Sequence, residues 1–169
     1  MESPKNFLKS FLRSCRFCRL LFVALIEAQI IMMERVLNMT AQLNAYIHSE
    51  EAREQAAFYA QALGGEILST MTYGQTPGTP EEIKDKVMHM VLSVAGGNII
   101  FLSDSFGPSQ RGRFISLALS YKKEEEARQA FENLSKDGTV KFPLELQPWG
   151  AYYGEVEDKF GVNWQIVTS

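Results

Sequence analysis

Cysteine is scarce in this 169-residue chain: Cys15 and Cys18 are its only thiols, so residues 39–169 have nothing with which to build a disulfide framework. A reducing, cytoplasmic setting is the expectation that follows. Histidine is as scarce, with His48 and His89 alone, which confines any imidazole chemistry to two positions. Basic residues are outnumbered, 17 Lys and Arg against 20 Asp and Glu, and no basic stripe is interleaved with aromatics. Nucleic acid is therefore not an expected partner, because phosphate binding needs clustered cations. The apolar run at residues 20–26 is stopped by Glu27 and is too short to cross a bilayer, so no membrane partner is expected. GxGxxG, Walker and GxSxG patterns are all missing, which leaves nucleotide binding and serine hydrolysis without support.

What is present is a chain 46% apolar, enough for one globular domain or two small fused units. The net charge of −3 hides an asymmetry: residues 1–38 carry six Lys and Arg against three Asp and Glu, while residues 39–169 carry eleven against seventeen. Residues 1–38 are accordingly expected to be a leader apart from the domain, either a poorly ordered tail or an over-extended start, with Met39 as the true one. Within that leader Phe7, Leu8, Phe11, Leu12, Cys15, Phe22 and Leu25 recur near helical spacing. Cys15-Arg16-Phe17-Cys18 has zinc and redox spacing, but a structural zinc needs four ligands and the chain has no second pair.

From residue 41 the periodicities organise into two similar modules. Leu43, Ala45 and Ile47 alternate with polar neighbours as a strand does. Ala52, Ala56, Tyr59, Ala60 and Leu63 then follow helical spacing from Ser49 onward, with Gly64 as the C-cap. Strands follow at residues 66–73, 87–95 and 98–103, with a loop at 74–82 and a Gly96-Gly97 turn. A linker at 104–112 leads to a strand at 114–121, a helix at 123–136 closed by Gly138, and strands at 141–147, 151–156 and 162–168, the first carrying an edge or bulge at Pro143. Arg111 and Arg113 lie at this junction as candidate anion clamps, although surface solubility is the simpler role, and Glu124-Glu125-Glu126 reads as a solvated helix start. Each module, 41–103 and 114–169, reads β-α-β-β-β, and Gly97-Asn98-Ile99-Ile100-Phe101 matches Gly161-Val162-Asn163-Trp164-Gln165 in position. Such a repeat implies two equivalent units closing against each other.

If each helix covers the more apolar face of its sheet, the other face lines a cavity. That assigns Asn44, Tyr46 and His48, then Phe114, Ser116, Ala118 and Ser120, then Asn163 and Gln165, to the cavity side. Tyr152 and Tyr153 must point opposite ways, with Tyr153 assigned to the pocket. Such a wall of rings, amides and hydroxyls suits a small-molecule ligand.

The run Trp149-Gly150, Tyr152-Tyr153-Gly154, Asp158-Lys159-Phe160-Gly161-Val162 and Trp164 resembles the closing hairpin of the vicinal-oxygen-chelate superfamily, also called glyoxalase/bleomycin-resistance/dioxygenase-like, and within it the PhnB-like branch. The resemblance covers residues 41–169 and implies an α+β fold, paired βαβββ modules forming a curved eight-stranded mixed sheet around a cleft. Metal-dependent members take ligands from strands one, four, five and eight; carried over, those positions are Asn44, Phe101, Ser116 and Gln165, none of them His, Asp, Glu or Cys. No metal site and no cofactor are expected, and a divalent ion at His48 and His89 would need carboxylate help from a loop. His89, in Val87-Met88-His89-Met90, resembles a motif of the branch and is the candidate general base. The label demethylubiquinone methyltransferase attached to the branch is discounted, for want of a glycine-rich strand-to-helix loop. The expected function is binding of a small molecule, with Asn44, Tyr46, His89, Phe101, Ser116, Trp149, Tyr153 and Gln165 as site residues and a homodimer as the expected assembly. The alternatives are a metal-assisted or His-based lyase, isomerase or dioxygenase-type enzyme, and a drug-sequestering protein of the bleomycin-binding kind whose acidic body attracts a cation.

Overall fold

The structure, a computed structural model, describes residues 41–108, 112 and 114–169. The leader with its cysteines, and Arg111 and Arg113, lie outside the described residues. Asn44–Ser169 forms one compact unit.

Module one runs β1 (Ala45–Ser49), α1 (Ala52–Leu63), β2 (Gly65–Thr72), β3 (Val87–Val94) and β4 (Asn98–Asp104). Module two repeats it as β5 (Leu117–Tyr121), α2 (Glu124–Leu134), β6 (Thr139–Leu146), β7 (Tyr152–Glu157) and β8 (Asn163–Thr168). The fold is α+β. Among the described residues the eight strands form two four-stranded mixed sheets, ordered β1-β4-β3-β2 and β5-β8-β7-β6, with β1 parallel to β4 and β5 parallel to β8.

Several boundaries move from the sequence expectation, each for a local reason. The helix α1 begins at Ala52 rather than near Ser49 because its first amide is capped from another element: Asp104 Oδ1 accepts from Ala52 N at 2.9 Å while Oδ2 accepts from Val87 N at 2.7 Å. One carboxylate thus fixes the helix start and the entry to β3. Two 3-10 turns, Tyr73–Gln75 and Glu81–Ile83, organise the loop read as irregular. Helix α2 stops at Leu134, where Ser135 Oγ donates to Phe131 O at 2.6 Å, and Asp137 takes the left-handed conformation at φ 59°. Gly138 does not close that helix. It enters β6, where a Cβ would lie 2.5 Å from the Glu157 carbonyl oxygen. The fifth strand starts at Leu117, leaving Phe114, Ile115 and Ser116 exposed ahead of it. Pro143 sits at a register shift in edge strand β6, as its missing N–H requires.

Buried positions obey the period of each element. Ala52, Ala56, Tyr59, Ala62 and Leu63 of α1 cover Met90, Leu92, Val94, Ile100 and Leu102; Ala127, Ala130, Phe131 and Leu134 of α2 cover Leu144, Val156, Trp164 and Ile166, all in one continuous core. The modules meet through these helix sides. Helix α1 packs on α2, Asn133 Nδ2 donates to Ala62 O at 3.2 Å, and Tyr59 reaches across to Trp164 at a 5.2 Å ring separation. At the centre lies buried Asp158 of the β7–β8 turn, which accepts from Tyr59 OH at 2.7 Å, Trp164 Nε1 at 2.8 Å, Phe160 N at 2.9 Å and Val162 N at 3.0 Å. Closure of one module on the other therefore takes place through helices, and the sheet face opposite each helix is turned outward.

Candidate functional site

The open face of sheet one is set by strand register. Tyr46 pairs with Phe101 and His48 with Ser103 across the β1–β4 ladder, and Val91 pairs with Phe101 and Met71 with His89 on β3 and β2. Cross-strand partners point to the same side, so alternation of β1, with Ala45 and Ile47 packed toward the helix, leaves Tyr46 and His48 outward. The four rings form one panel. Tyr46 lies 4.9 Å from His48, 5.8 Å from His89 and 6.1 Å from Phe101 between ring centroids, and His89 lies 4.9 Å from Phe101. The Tyr46 hydroxyl is 3.4 Å from His89 Nδ1, at the long limit of a hydrogen bond, and His48 Nδ1 is 2.9 Å from Ser103 Oγ. Tyr46 is 45% exposed, so this panel of rings and imidazoles is accessible.

The open face of sheet two is chemically different. Ala118 pairs with Gln165, Gln165 with Glu155, and Glu155 with Phe142, which brings one side chain from each of four strands into a row. Tyr153 and Glu157 flank Glu155 along β7, with Gly154 and Val156 buried on the other side. The Tyr153 hydroxyl donates to Glu155 Oε1, and Gln165 Nε2 reaches the same oxygen at 3.4 Å. Desolvation, then the Glu155 hydrogen bond and charge, push the Tyr153 phenol up to about 12. Two residues on, Lys141 Nζ pairs with Glu157 at 2.7 Å and also contacts Asn163. Trp149 stands in the β6–β7 turn, 68% exposed, its ring edge-on to Tyr153 at 6.5 Å.

Of the residues singled out in the sequence, the structure brings Tyr46, His89 and Phe101 together on one face and Tyr153 and Gln165 on the other, with Trp149 at that second face's rim. Asn44 and Ser116 fall just before β1 and β5. His48, assigned with Tyr46 to the same side of the first strand by alternation, belongs to the same panel. One residue escaped the sequence reading. Glu155 went unmentioned, although the alternation that placed Tyr153 outward places Glu155 beside it.

A divalent ion of the kind used by metal-dependent superfamily members does not fit this donor set. Phe101 offers a hydrocarbon ring packed on His89, Ser116 is off the strand, and among the described residues no three His, Cys, Asp or Glu side chains converge. The strand-to-helix connections are short and charged, Glu50-Glu51 in module one and Lys122-Lys123 in module two, and neither contains glycine. No helix among the described residues is long and apolar enough to cross a membrane.

Comparison with known proteins places this geometry. Residues 40–167 match the family model described as 3-demethylubiquinone-9 3-methyltransferase. The protein YjdN of Escherichia coli (strain K12) is 28% identical over 123 residues, spanning 65% of this chain and 82% of that protein. The crystal structure of protein PA1353 from Pseudomonas aeruginosa is 30% identical with a TM-score of 0.67, covering 77% of this chain and 98% of that one. A Bacillus cereus structure titled putative 3-demethylubiquinone-9 3-methyltransferase, PhnB protein, is 25% identical with a TM-score of 0.63, covering 76% of this chain and 100% of that one. The fold is also shared with solved glyoxalase/bleomycin resistance protein/dioxygenase structures, at 12% and 19% identity and TM-scores of 0.57 and 0.53.

Proposed function

Since the chain belongs to the family described as 3-demethylubiquinone-9 3-methyltransferase, the PhnB-like branch of the glyoxalase/bleomycin-resistance/dioxygenase superfamily, we propose that it binds a small organic molecule against the sheet faces turned away from its helices. The observation that carries this reading is the panel of Tyr46, His48, His89 and Phe101, in which Tyr46 lies between 4.9 and 6.1 Å from each of the other three rings and is left accessible. A protein that needed these side chains only for stability would cover them, because ring burial is a large favourable term. Left open, they give a ligand apolar contact area with a few polar groups to orient it. The methyl transfer named in the family's description is not carried over, because the two strand-to-helix connections lack the glycine turn with which doubly wound α/β folds cradle a nucleotide-like donor.

A second copy of the chain is the assembly partner in this proposal. One face alone is a wall rather than a cleft, and the outward residues Met71, Phe142 and Trp149 are between 46% and 68% exposed, an arrangement that a second copy would cover. Cytoplasmic placement belongs to the same proposal, since residues 39–169 carry no cysteine for a disulfide framework. The Tyr46 to His89 contact also favours a second reading, in which His89 acts as a base whose orientation Tyr46 sets.

The test is a small-molecule screen by thermal shift on the full chain, followed by amide chemical-shift mapping and light scattering. Hits that shift β1, β3 and β4 amides, and lose at least tenfold affinity in Phe101→Ala, support the proposal. Hits that map only to the helices or the loop at 74–82 would sink it. For any substrate found, His89→Ala separates the two readings: binding alone loses affinity modestly, whereas base catalysis loses rate far more than affinity.

A further inference from the structure

We infer that the open face of sheet two receives a protonated organic amine, with the Glu155 carboxylate as its counter-charge and the rings of Phe142, Tyr153 and Trp149 as its walls; this rests on the ligand-binding reading above and names the ligand's chemical class. Glu155 is in the interior strand β7, half-buried, between Phe142 on one neighbouring strand and Gln165 on the other. Its Oε1 is held by the Tyr153 hydroxyl and by the Gln165 amide, both of them neutral donors, and its Oε2 has no donor among the described residues. The carboxylate is therefore oriented without being neutralised. Glu157 on the same strand differs: it is paired with Lys141 at 2.7 Å.

The difference matters once the face is covered. A carboxylate taken further out of water without a cation is strongly disfavoured, so whatever fills this face must bring positive charge or strong donors. A metal ion does not suit a single carboxylate, because divalent cations demand several converging ligands. An ammonium does, and the setting adds what an organic cation prefers: Phe142 is paired across the ladder and 58% exposed, and Trp149 stands edge-on to Tyr153. Ring faces attract ammonium groups electrostatically. The raised phenol of Tyr153 stays protonated throughout the physiological range, so the hydrogen bond that aims Glu155 persists.

The experiment uses the full chain, labelled with nitrogen-15, titrated separately with 2-phenylethylammonium and its neutral analogue 2-phenylethanol. The amine should shift the Tyr153, Glu155 and Gln165 amides and bind at least tenfold more tightly than the alcohol. Glu155→Gln, which still accepts from Tyr153 and Gln165, should lose at least tenfold in amine affinity with the alcohol unchanged, and Phe142→Leu should weaken the amine severalfold. Equal affinity of the two probes, or amine affinity unchanged in Glu155→Gln, overturns the amine assignment. In that case alcohol shifts on the open face would leave the ligand-binding reading standing. Silence of the amine at the open face of sheet two likewise overturns the amine assignment, while the ligand-binding reading stands or falls on the thermal-shift screen.

Discussion

Module one and module two share an element order and a register, yet the two sides of their sheets compare in opposite ways. On the helix side the counterparts are alike: Leu92 facing Ile100 corresponds to Val156 facing Trp164, and every one of these is buried. On the open side they diverge completely. Val91 facing Phe101 becomes Glu155 facing Gln165, and Tyr46 beside Phe101 becomes Ala118 beside Gln165. Packing constrains the first set, because a close-packed interior tolerates only volume-conserving change. Packing constrains the second set less, and the proposed binding chemistry is assigned to it. One module offers rings and imidazoles; the other offers a carboxylate, an amide and rings.

The comparison breaks most sharply at the turns joining the last two strands of each module. In module one the turn is Ala95, Gly96 and Gly97, all at positive φ. In module two the same place holds Asp158, which accepts four hydrogen bonds and ties its own hairpin to Tyr59 of the other module. Asp158→Ala strands a phenol, an indole N–H and two backbone amides, so it should cost on the order of 3 kcal/mol or more. Urea denaturation monitored by circular dichroism measures the loss. Burial first, then the Asp158 charge, raise the Tyr59 phenol well above its usual value. The folded state therefore holds that proton more tightly than the unfolded one, whose tyrosine ionises near pH 10. The resulting stability is fully present below about pH 10 and is lost as pH rises toward the folded value. Tyr59→Phe should flatten that alkaline slope.

A second contrast lies beneath the helices. Met90 is fully buried under alanine-rich α1, whereas its counterpart Gly154 lies under Phe131 of α2, where a Cβ would come within 2.8 Å of the Phe131 ring. The modules fill one layer in two ways, a large strand residue under small helix residues and the reverse. Gly154→Ala should therefore cost about 1–3 kcal/mol by overpacking. Adding Phe131→Leu should recover part of that loss, and a double-mutant cycle in urea reads the coupling. Two independent, additive losses would show that the volume exchange is not the reason for glycine.

The legibility of this chain follows the same division. Strand and helix types, the two-module repeat and the inward faces of β1 and β8 were readable, because alternation at Ala45 and Ile47, or at Trp164 and Ile166, is written in consecutive residues. Boundaries decided by distant partners were not. The start of α1 depends on Asp104, some fifty residues away, and the role of Gly138 depends on the Glu157 carbonyl in another strand. Tyr46 was placed by alternation, and His89 and Phe101 were named from the family resemblance, but their mutual distances come from the β1-β4-β3 order. Glu155 was legible in principle, and was passed over because a glutamate in a strand reads as solvated until its tyrosine and glutamine partners are seen.

The Tyr153 phenol sharpens the comparison between the open faces. It is pushed up to about 12, by desolvation first and then by Glu155, so an absorbance titration at the phenolate band should show a tyrosine step near that value that Tyr153→Phe removes. Glu155→Gln removes the charge and should bring that step back toward the ordinary range.

The smallest effect is expected at the module-one panel. Tyr46 is among the exposed residues and His89 is half-buried, and the contact between them, 3.4 Å from hydroxyl to Nδ1, is long. Tyr46→Phe and His89→Ala should each change unfolding free energy by no more than about 0.5 kcal/mol, the usual range for residues outside the core. The same substitutions should alter ligand affinity if the panel is a binding surface. Calorimetric scans beside binding titrations decide it: a destabilisation comparable to Gly154→Ala would make the panel a part of the scaffold, and the open sides of the two modules would then differ in packing as well as in chemistry.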